Sequence, residues 1–292
     1  MIARRTAGRV DVVARAKLNL FLEVLGRRPD GYHDIESLMV TVDGPNDVLS
    51  LVDDPSGRIT LRCDDPSLPT GPENLVVKAA EALRAESGFE RGATIDLLKS
   101  IPAQTGLAGG SSDAAATLTA LDILWDLKTP PDRLDAIAAT IGSDVAFFRH
   151  GPAAICRGRG EQVEPFPLSH PLSFVLICPP YGVSTADVYR QLTPPERPRS
   201  IGPFLYALIG GDSREIGALL FNRLQPVAET LCPALTEIRD ALADCPSIDG
   251  HQMSGSGSAY FGLARSPDAA GDAAARLATL GLGRVRVVTS RP

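Results

Sequence analysis

The sequence contains few of the residues that build disulfide frameworks or metal centres. Its 292 residues include five cysteines and four histidines, which form neither a Cys-x-x-Cys pair nor a His-Glu-x-x-His motif. Scattered cysteines in an odd number indicate reduced, buried thiols rather than disulfides. We therefore expect a cytoplasmic protein without a transition-metal site of its own.

Long apolar segments and an excess of positive charge are also absent. No run of about 18 uninterrupted apolar residues predicts a membrane span, and Asp11, Arg15 and Lys17 interrupt the apolar region that a signal peptide needs. The formal net charge of −6 argues against general binding to nucleic acid or to an anionic membrane. It still permits a local positive pocket for a phosphorylated small molecule.

Length and composition indicate a globular enzyme of two domains. A chain of 292 residues exceeds the usual single-domain range of about 100–200 residues. A content of 44% hydrophobic and 22% charged residues is ordinary for such a protein. The proline-containing stretch 165–171 is the candidate boundary. We therefore predict an N-terminal domain over residues 1–165 and a C-terminal domain over residues 166–292.

Hydrophobic patterning predicts an α+β arrangement of strands and helices. The first sixty residues predict antiparallel hairpins, with turns at RPDG, DGPND and DDPSG. Later strands are predicted at ATIDLLKSI, VAFF, AAICRG, SFVLICPP, AYFGLA and RVRVVT. Helices are predicted at ENLVVKAAEALRAESG, at PDRLDAIAATIG, around 213–222 and 233–243, and at PDAAGDAAARLATLG. One more helix is predicted from Ser111 onward, with Ser and Asp where an N-cap belongs, and residues 192–200 predict a surface loop.

Residues 101–118, IPAQTGLAGGSSDAAATL, place three glycines and two serines between a predicted strand and a predicted helix. Such a turn exposes backbone N–H groups at a helix N-terminus, where the helix dipole adds positive charge, so it can cradle phosphate. The alternative is a tight connection with a Ser or Asp cap. The segment is neither the Gly-x-x-x-x-Gly-Lys-Ser/Thr loop nor the Gly-x-Gly-x-x-Gly fingerprint, which disfavours a P-loop or Rossmann site.

Five segments in order along the chain resemble the GHMP kinases. They are ARAKLNLFLEVLGRRPDGYHDIESL (14–38), the glycine loop, IGSDVAFF (141–148), CRGRGE (156–161) and MSGSGSAYFGL (253–263). The combination of AKLNL and RPDGYH is the most specific part, because other GHMP kinases share the glycine loop but lack this Tyr-His element. The chain is most similar to the members of the family whose acceptor is 4-diphosphocytidyl-2-C-methyl-D-erythritol.

The resemblance implies an α+β fold with two domains. The N-terminal half would resemble domain 2 of ribosomal protein S5, the C-terminal half would be ferredoxin-like, and the active site would lie in the cleft between them. ATP would phosphorylate the 2-hydroxyl of the cytidine-linked acceptor in the non-mevalonate route to isoprenoid precursors, with Mg²⁺ neutralising the transferring phosphates. The expected partner is this small molecule, without nucleic acid or membrane, for a cytoplasmic monomer or homodimer.

Lys17 and Asp144 match the catalytic pair of the family. A neutral alcohol is a weak nucleophile, so Asp144 would accept its proton while Lys17 orients the reacting groups and offsets negative charge. Taken singly, each residue has an ordinary explanation. A lysine in a strand is usually solvated, and an aspartate after a helix-ending glycine is often a cap.

Four residues match positions that recognise the acceptor: Asn19, Tyr32, His33 and Tyr189. Tyr32 would stack on cytosine and His33 would read its polar edge, while Tyr189 would form a second aromatic wall. The alternatives are that RPDGYH is only a hairpin turn beside an exposed aromatic ring, and that Tyr189 belongs to the core.

ATP is assigned by the resemblance to the glycine loop, to two isolated residues and to a second glycine turn. The residues are Asn74, Lys99, Pro102, Ala103, Gln104, Thr105, Gly106, Leu107, Ala108, Gly109, Gly110, Ser111, Ser112, Gly255, Ser256 and Gly257. Ser112 is also the candidate ligand for Mg²⁺. For Asn74 and Lys99 the alternative is a solvated surface position, and for the second turn it is a simple hairpin.

Gln104 and Ala108 stand where the family commonly has glycine. If either position requires a left-handed backbone, a side chain there costs about 1–2 kcal/mol, and the local path would differ. Two other functions remain open from the sequence: a GHMP kinase for another small alcohol, and a non-catalytic nucleotide-binding relative. The second predicts loss of the base or of the loop, and both are present.

Overall fold

The computed structural model of the protein describes residues 2–290, which fold into strands and helices of an α+β protein. The strands are β1 (Ile2–Thr6), β2 (Arg9–Arg27), β3 (His33–Asp54), β4 (Ile59–Cys63), β5 (Gly92–Leu98), β6 (Ala153–Gly158), β7 (Gln162–Pro165), β8 (Leu172–Cys178), β9 (Phe221–Asn222), β10 (Ile248–Met253), β11 (Tyr260–Ala264) and β12 (Arg284–Ser290). The helices are α1 (Leu75–Ser87), α2 (Gly109–Leu124), α3 (Pro131–Ile141), α4 (Val145–His150), α5 (Thr185–Gln191), α6 (Gly202–Gly210), α7 (Ser213–Leu219), α8 (Gln225–Leu231), α9 (Leu235–Ala243) and α10 (Pro267–Ala278).

The chain divides into two compact units that alternate along the sequence. The first unit contains residues up to Ala16, Pro45–Ile101 and Ala108–Arg149. The second contains Lys17–Gly44, Pro102–Leu107 and the chain from His150 onward. Because β2 and β3 each contribute residues to both units, the units do not follow the predicted division at residue 165, which stays a prediction.

The first unit combines antiparallel strand pairs with a layer of helices. The start of β2 pairs with β1, and the second half of β3 pairs with β5 from Val48–Leu98 to Asp54–Gly92. Strand β4 lies parallel to β5. Helices α1 and α2 pack against each other, and Ala114, Ala115 and Ala116 of α2 are all fully buried. This packing fixes the helix that follows the glycine loop.

The second unit contains a four-stranded antiparallel sheet in the order β10-β11-β8-β12. Along the chain, β8 is followed by helices, the β10-β11 pair, α10 and β12, which is the split βαβ order of a ferredoxin-like fold. The predicted fold class is therefore confirmed. Strand β6 pairs with the first half of β3 and with β7, and β9 lies parallel to β2 at Phe21.

The structure corrects several predicted elements. DGPND does not form a turn but lies inside β3, where Asp47 is fully buried and accepts internal hydrogen bonds. VAFF is the start of α4 rather than a strand, because a short apolar run suits a buried helix as well as a strand. Helices α5, α6 and α8 and strands β1, β7, β9 and β10 are not among the predicted elements. All five cysteines are free, but Cys63 and Cys232 are only half-buried.

Within residues 2–290, no helix is long and apolar enough to cross a membrane. Helix α1 ends as its sequence predicts, at Gly88 with φ of 65° in the left-handed region. Its first turn is capped by Asn74, which the sequence assigned only to ATP. Helix α3 likewise ends at Gly142, as predicted.

Candidate active site

Helix α2 begins inside the glycine loop, two residues earlier than predicted. Its N-cap is Ala108, and no side chain caps it, so the predicted Ser or Asp cap is wrong. The first backbone hydrogen bond of the helix joins Ser112 N–H to the Ala108 carbonyl at 2.9 Å. An uncapped N-terminus on a 16-residue helix keeps donors and positive dipole charge for an anion.

The two substitutions at glycine positions leave the loop in a left-handed path. Gln104 has φ of 55°, Ala108 has φ of 57°, and Gly106 between them has φ of 77°. The side chains of Gln104 and Ala108 predicted that the backbone of the loop would differ from the left-handed one that glycine allows. Both residues instead adopt the left-handed conformation that glycine favours. The chain therefore carries a conformational cost of about 1–2 kcal/mol at each position.

This cost predicts that Ala108→Gly stabilises the protein. Removing the Cβ relieves left-handed strain, and the extra chain entropy of glycine offsets part of it, so we expect a gain of about 0.5–1 kcal/mol in free energy of unfolding. Denaturant unfolding measures it. The control Ala116→Gly, in the middle of α2, should instead lower stability by about 1 kcal/mol or more. Equal losses in both variants would contradict the prediction.

The two adjacent glycines at the start of α2 have different surroundings. A Cβ at Gly109 would lie 2.9 Å from Ile101 Cγ2 and 3.2 Å from Lys99 Nζ. A Cβ at exposed Gly110 would meet only Leu75 Cδ1, at an ordinary 3.6 Å. Packing inside the protein thus explains why residue 109 is glycine, whereas nothing in the protein requires glycine at residue 110.

Three sequence-distant segments meet within the second unit. In the glycine loop, the Leu107 carbonyl accepts a hydrogen bond from Lys17 N–H at 3.1 Å. The Gly106 carbonyl accepts one from Ser254 Oγ, also at 3.1 Å. Ala259 N–H donates to the Thr105 carbonyl at 3.0 Å. The contact is close, because a Cβ at Gly106 would stand 1.9 Å from the Ser254 carbonyl oxygen. The glycine loop, the Lys17 strand and the second glycine turn are therefore neighbours.

Lys17 is buried, with 3% exposure, and its ammonium donates to Asn19 Oδ1. Asn19 is held in turn by its Nδ2, which donates to Ser37 Oγ at 2.8 Å, and by its carbonyl, which accepts from Gln252 Nε2 at 2.7 Å. The alternative of a solvated strand lysine is wrong for Lys17. A buried, oriented ammonium is instead typical of a functional cation.

The second glycine turn is fixed by side chains that sequence reasoning missed. Asn222 Nδ2 donates to the carbonyls of Met253 and Gly255, each at 2.8 Å. Ser256 Oγ and Thr185 Oγ1 are 2.7 Å apart. No local pattern could have indicated Asn222, since it lies 33 residues from Gly255.

Two of the predicted acceptor residues, His33 and Tyr189, are in contact in the second unit. The rings of His33 and Tyr189 lie 5.2 Å apart at 33°. Tyr32 is 54% exposed and carries the Arg159 guanidinium 5.0 Å from its ring centroid. Burial and the nearby Arg27 charge lower the pKa of His33, so its imidazole is neutral at pH 7 and offers one donor and one acceptor. Arg159 was missed, although the quoted segment CRGRGE contains it.

Asp144 lies half-buried in the first unit, in the turn between α3 and α4. The preceding Gly142 is extended, which ends α3 and leads the chain to this turn. The assignment of Asp144 as the partner of Lys17 stays a prediction.

Asn74 and Lys99 have internal contacts. Asn74 Oδ1 accepts from Val76 N–H at 2.9 Å and caps α1. The Lys99 ammonium donates to Asp47 and, at 2.7 Å, to Asp113 Oδ2. Burial, reinforced by the charge of Asp47, raises the pKa of Asp113 to about 8 against the opposing charge of Lys99. Sequence reasoning missed both carboxylates as partners of Lys99, and the ATP roles of Asn74 and Lys99 stay predictions.

Among the described residues, no group of three or more His, Cys, Asp or Glu side chains could hold a metal ion. The Ser112 hydroxyl is buried and has no hydrogen-bond partner within residues 2–290. It is therefore an oxygen donor available to a cation that is held mainly by phosphates, as Mg²⁺ commonly is.

Comparison with known proteins finds two family matches along the chain. Residues 74–154 match the family described as GHMP kinases N terminal domain, and residues 204–281 match GHMP kinases C terminal. A protein of Pelotomaculum thermopropionicum named 4-diphosphocytidyl-2-C-methyl-D-erythritol kinase is 43% identical over 269 residues, 91% of this chain and 93% of its own length. A protein of the same name from Acidovorax sp. is 41% identical over 86% of each chain.

Solved structures of kinases are similar to this chain as well. A crystal structure of 4-(cytidine 5'-diphospho)-2C-methyl-D-erythritol kinase is 36% identical, has a TM-score of 0.78, and covers 97% of this chain and 100% of its own. Homoserine kinase from Cytophaga hutchinsonii has a TM-score of 0.79 at 21% identity, covering 100% and 97% of the two chains. The second likeness shows the fold alone, because the fold is shared by kinases with different acceptors.

Proposed function

The chain belongs to the GHMP kinases, and from this premise we propose that it transfers the terminal phosphate of ATP to the 2-hydroxyl of 4-diphosphocytidyl-2-C-methyl-D-erythritol. One observation carries the proposal: relatives 38–43% identical over most of the chain bear the name of that kinase. The products are the 2-phosphate and ADP, in the non-mevalonate route to isoprenoid precursors. The enzyme is a cytoplasmic monomer or homodimer without nucleic-acid or membrane partners.

The ATP phosphates are held by main-chain donors at the start of α2. Residues 102–112 supply the loop, and Gly109, Gly110 and Ser111 supply N–H groups at the uncapped helix end. Gly255, Ser256 and Gly257 of the second turn are assigned to ATP as well. The space beside Gly110 supports this assignment, because a Cβ there would make only one ordinary contact, and a glycine that packing does not require suits a ligand that approaches the backbone closely.

Proton transfer is assigned to Asp144. Its carboxylate accepts the proton of the 2-hydroxyl as the oxygen attacks the γ-phosphorus and the bond to the β-phosphate oxygen breaks, leaving ADP. Lys17 offsets the negative charge on the transferring group. The hydrogen bond from Lys17 to Asn19 supports this role, since it fixes the direction of a buried ammonium.

Cytosine is assigned to the aromatic group in the second unit. Tyr32 supplies a ring face for stacking, and neutral His33, against Tyr189, supplies a donor and an acceptor for the edge of the base. Ser112 fits as a protein ligand for Mg²⁺, whose chemistry is to neutralise the phosphate charge as it redistributes.

The Tyr32→Ala variant tests this cytosine assignment. Loss of one base-stacking ring costs about 1–3 kcal/mol, so KM for the cytidine acceptor should rise by about 10-fold or more, while KM for ATP stays unchanged. Steady-state kinetics with each substrate varied measures both constants. Tyr206→Ala is the matched control, since Tyr206 is 83% exposed on α6. An equal rise in KM for ATP would show that Tyr32 does not belong to a separate cytosine pocket.

A coupled assay of ADP release tests the proposed function. With ATP, Mg²⁺ and the cytidine-linked acceptor, we expect turnover, and mass spectrometry should find one added phosphate on the acceptor. Turnover with homoserine or mevalonate but not with the cytidine acceptor would contradict the proposal. Nucleotide binding without turnover on any alcohol would instead indicate a non-catalytic relative.

A further inference from the structure

A buried cluster of three titratable side chains lies within the first unit. The Lys99 cluster consists of Lys99 between Asp47 and Asp113, whose side chains are 9%, 0% and 3% exposed. The lysine donates to both carboxylates, and its nitrogen lies 2.7 Å from Asp113 Oδ2. Buried ion groups are costly unless well paired, and they are weak contributors to stability. Their presence therefore calls for a role other than stability.

The Lys99 cluster fixes the chain where it enters the glycine loop. Asp47 Oδ1 accepts hydrogen bonds from the backbone N–H groups of Ser100 at 2.5 Å and of Ile101 at 2.8 Å. Lys99 itself immediately precedes these residues, and its backbone N–H donates to Asp64 Oδ1 at 2.8 Å. The last residues before the loop are thus held by side chains from other strands and turns of the same unit.

The same cluster fixes the chain where it leaves the loop. Asp113 lies in the second turn of α2, four residues after Gly109. The Lys99 nitrogen lies 3.2 Å from the position of a Cβ at Gly109, directly beside the first residue of the helix. Lys99 therefore links the segment before the loop to the helix that follows it, through one ammonium.

We propose that Asp113 is a positioning residue for ATP, which acts by anchoring Lys99 beside Gly109 so that the first N–H groups of α2 keep the direction that phosphate requires. The inference rests on the proposed function for its ligand. It differs from the assignment of Lys99 as a direct ATP contact. Here ATP binding depends on the Asp113 carboxylate, although this carboxylate touches no substrate. Small displacements of positioned groups have large effects on binding and rate.

The test compares two near-isosteric variants of Asp113. Asp113→Asn keeps an oxygen acceptor for Lys99, whereas Asp113→Leu has similar volume and no acceptor. We expect Asp113→Leu to weaken binding of a non-hydrolysable ATP analogue by about 10-fold, with kcat at saturating ATP and KM for the cytidine acceptor within about 2-fold of the wild type. Asp113→Asn should bind the analogue within about 2-fold of the wild type. Calorimetric titration and steady-state kinetics measure these constants.

Two controls separate positioning from mere destabilisation and from direct contact. Leu118→Val, a loss of one methylene from a fully buried position in α2, should lower stability without weakening analogue binding. As a single change, Lys99→Met should weaken analogue binding, yet it should add nothing further in the Asp113→Leu background, because Lys99, still paired with Asp47, has then already lost the carboxylate that holds it beside Gly109. Additive losses would overturn the proposal. So would wild-type analogue affinity in Asp113→Leu, or equal loss for both substrates.

If Asp113→Leu does not fold, Asp113→Ala carries the same test, because alanine suits a helix that continues with Ala114–Ala116. Failure of the proposed function is distinguishable, since it would appear as no turnover of the cytidine acceptor by the wild type. Analogue titration does not depend on that acceptor, so it decides the role of Asp113 in either case.

Discussion

Asp144→Asn is expected to lower kcat by about 10²- to 10⁴-fold, the range for a lost general base. Asparagine keeps the size of the side chain but cannot take the proton of the 2-hydroxyl, so the oxygen must attack in its weakly nucleophilic form. Affinity for ATP should stay unchanged, because main-chain donors in the glycine loop bind the phosphates. Single-turnover kinetics, with calorimetric titration of an ATP analogue, measures both quantities.

Asp187→Asn is a suitable control for this experiment, since Asp187 is near the start of α5 and pairs with Arg190 at the surface. It should keep wild-type turnover. Near-native turnover in Asp144→Asn would remove Asp144 from the role of base. A loss of ATP affinity that matches the loss of turnover would show that Asp144 acts in binding.

Gly110→Val should weaken ATP binding by about 100-fold, or about 2.7 kcal/mol, while the cytidine acceptor still binds. No lysine lies within the loop, so its hold on phosphate comes from backbone donors that require close approach. A valine at this exposed position fills the space beside those donors, and the protein itself leaves room for its Cβ. Paired calorimetric titrations with the ATP analogue and with the acceptor test the prediction.

The matched control is Gly271→Val in α10, where a Cβ would meet no neighbour within 4 Å and would be accommodated as well as the Cβ at Gly110. It carries the same change in helix propensity but lies outside the loop, so both affinities should persist. If Gly110→Val keeps its affinity for the ATP analogue and loses that for the acceptor, the loop binds a different ligand from the one assigned.

Local sequence signals predicted the elements whose causes are local. The end of α1 at Gly88 depends on residues within one turn, and it is as predicted. The RPDG turn lies between β2 and β3, and AAICRG is β6. Predictions failed where burial decided the outcome. VAFF is helical because Phe147 and Phe148 pack inside the protein, and DGPND continues a strand because Asp47 has internal partners.

The glycine loop shows both kinds of information in one segment. Its sequence indicates a phosphate-binding turn before a helix, and the uncapped start of α2 agrees. Its backbone path could not be read from Gln104 and Ala108, because their side chains disfavour the left-handed region that both adopt. The hydrogen bonds that this loop makes to Lys17 and Ser254 hold that path in place.

The sequence by itself determined the family, the reaction class and the residue types that the chemistry needs, because motifs such as AKLNL and RPDGYH keep their residues within a few positions of one another. The tertiary structure alone decided which of those residues have hydrogen-bond partners, and whether packing requires glycine at Gly109 and at Gly110. Lys99 meets Asp47 across 52 residues, and Asn19 meets Gln252 across 233. Contacts of that separation leave no local pattern, since they arise only when buried polar groups must find partners as the chain folds.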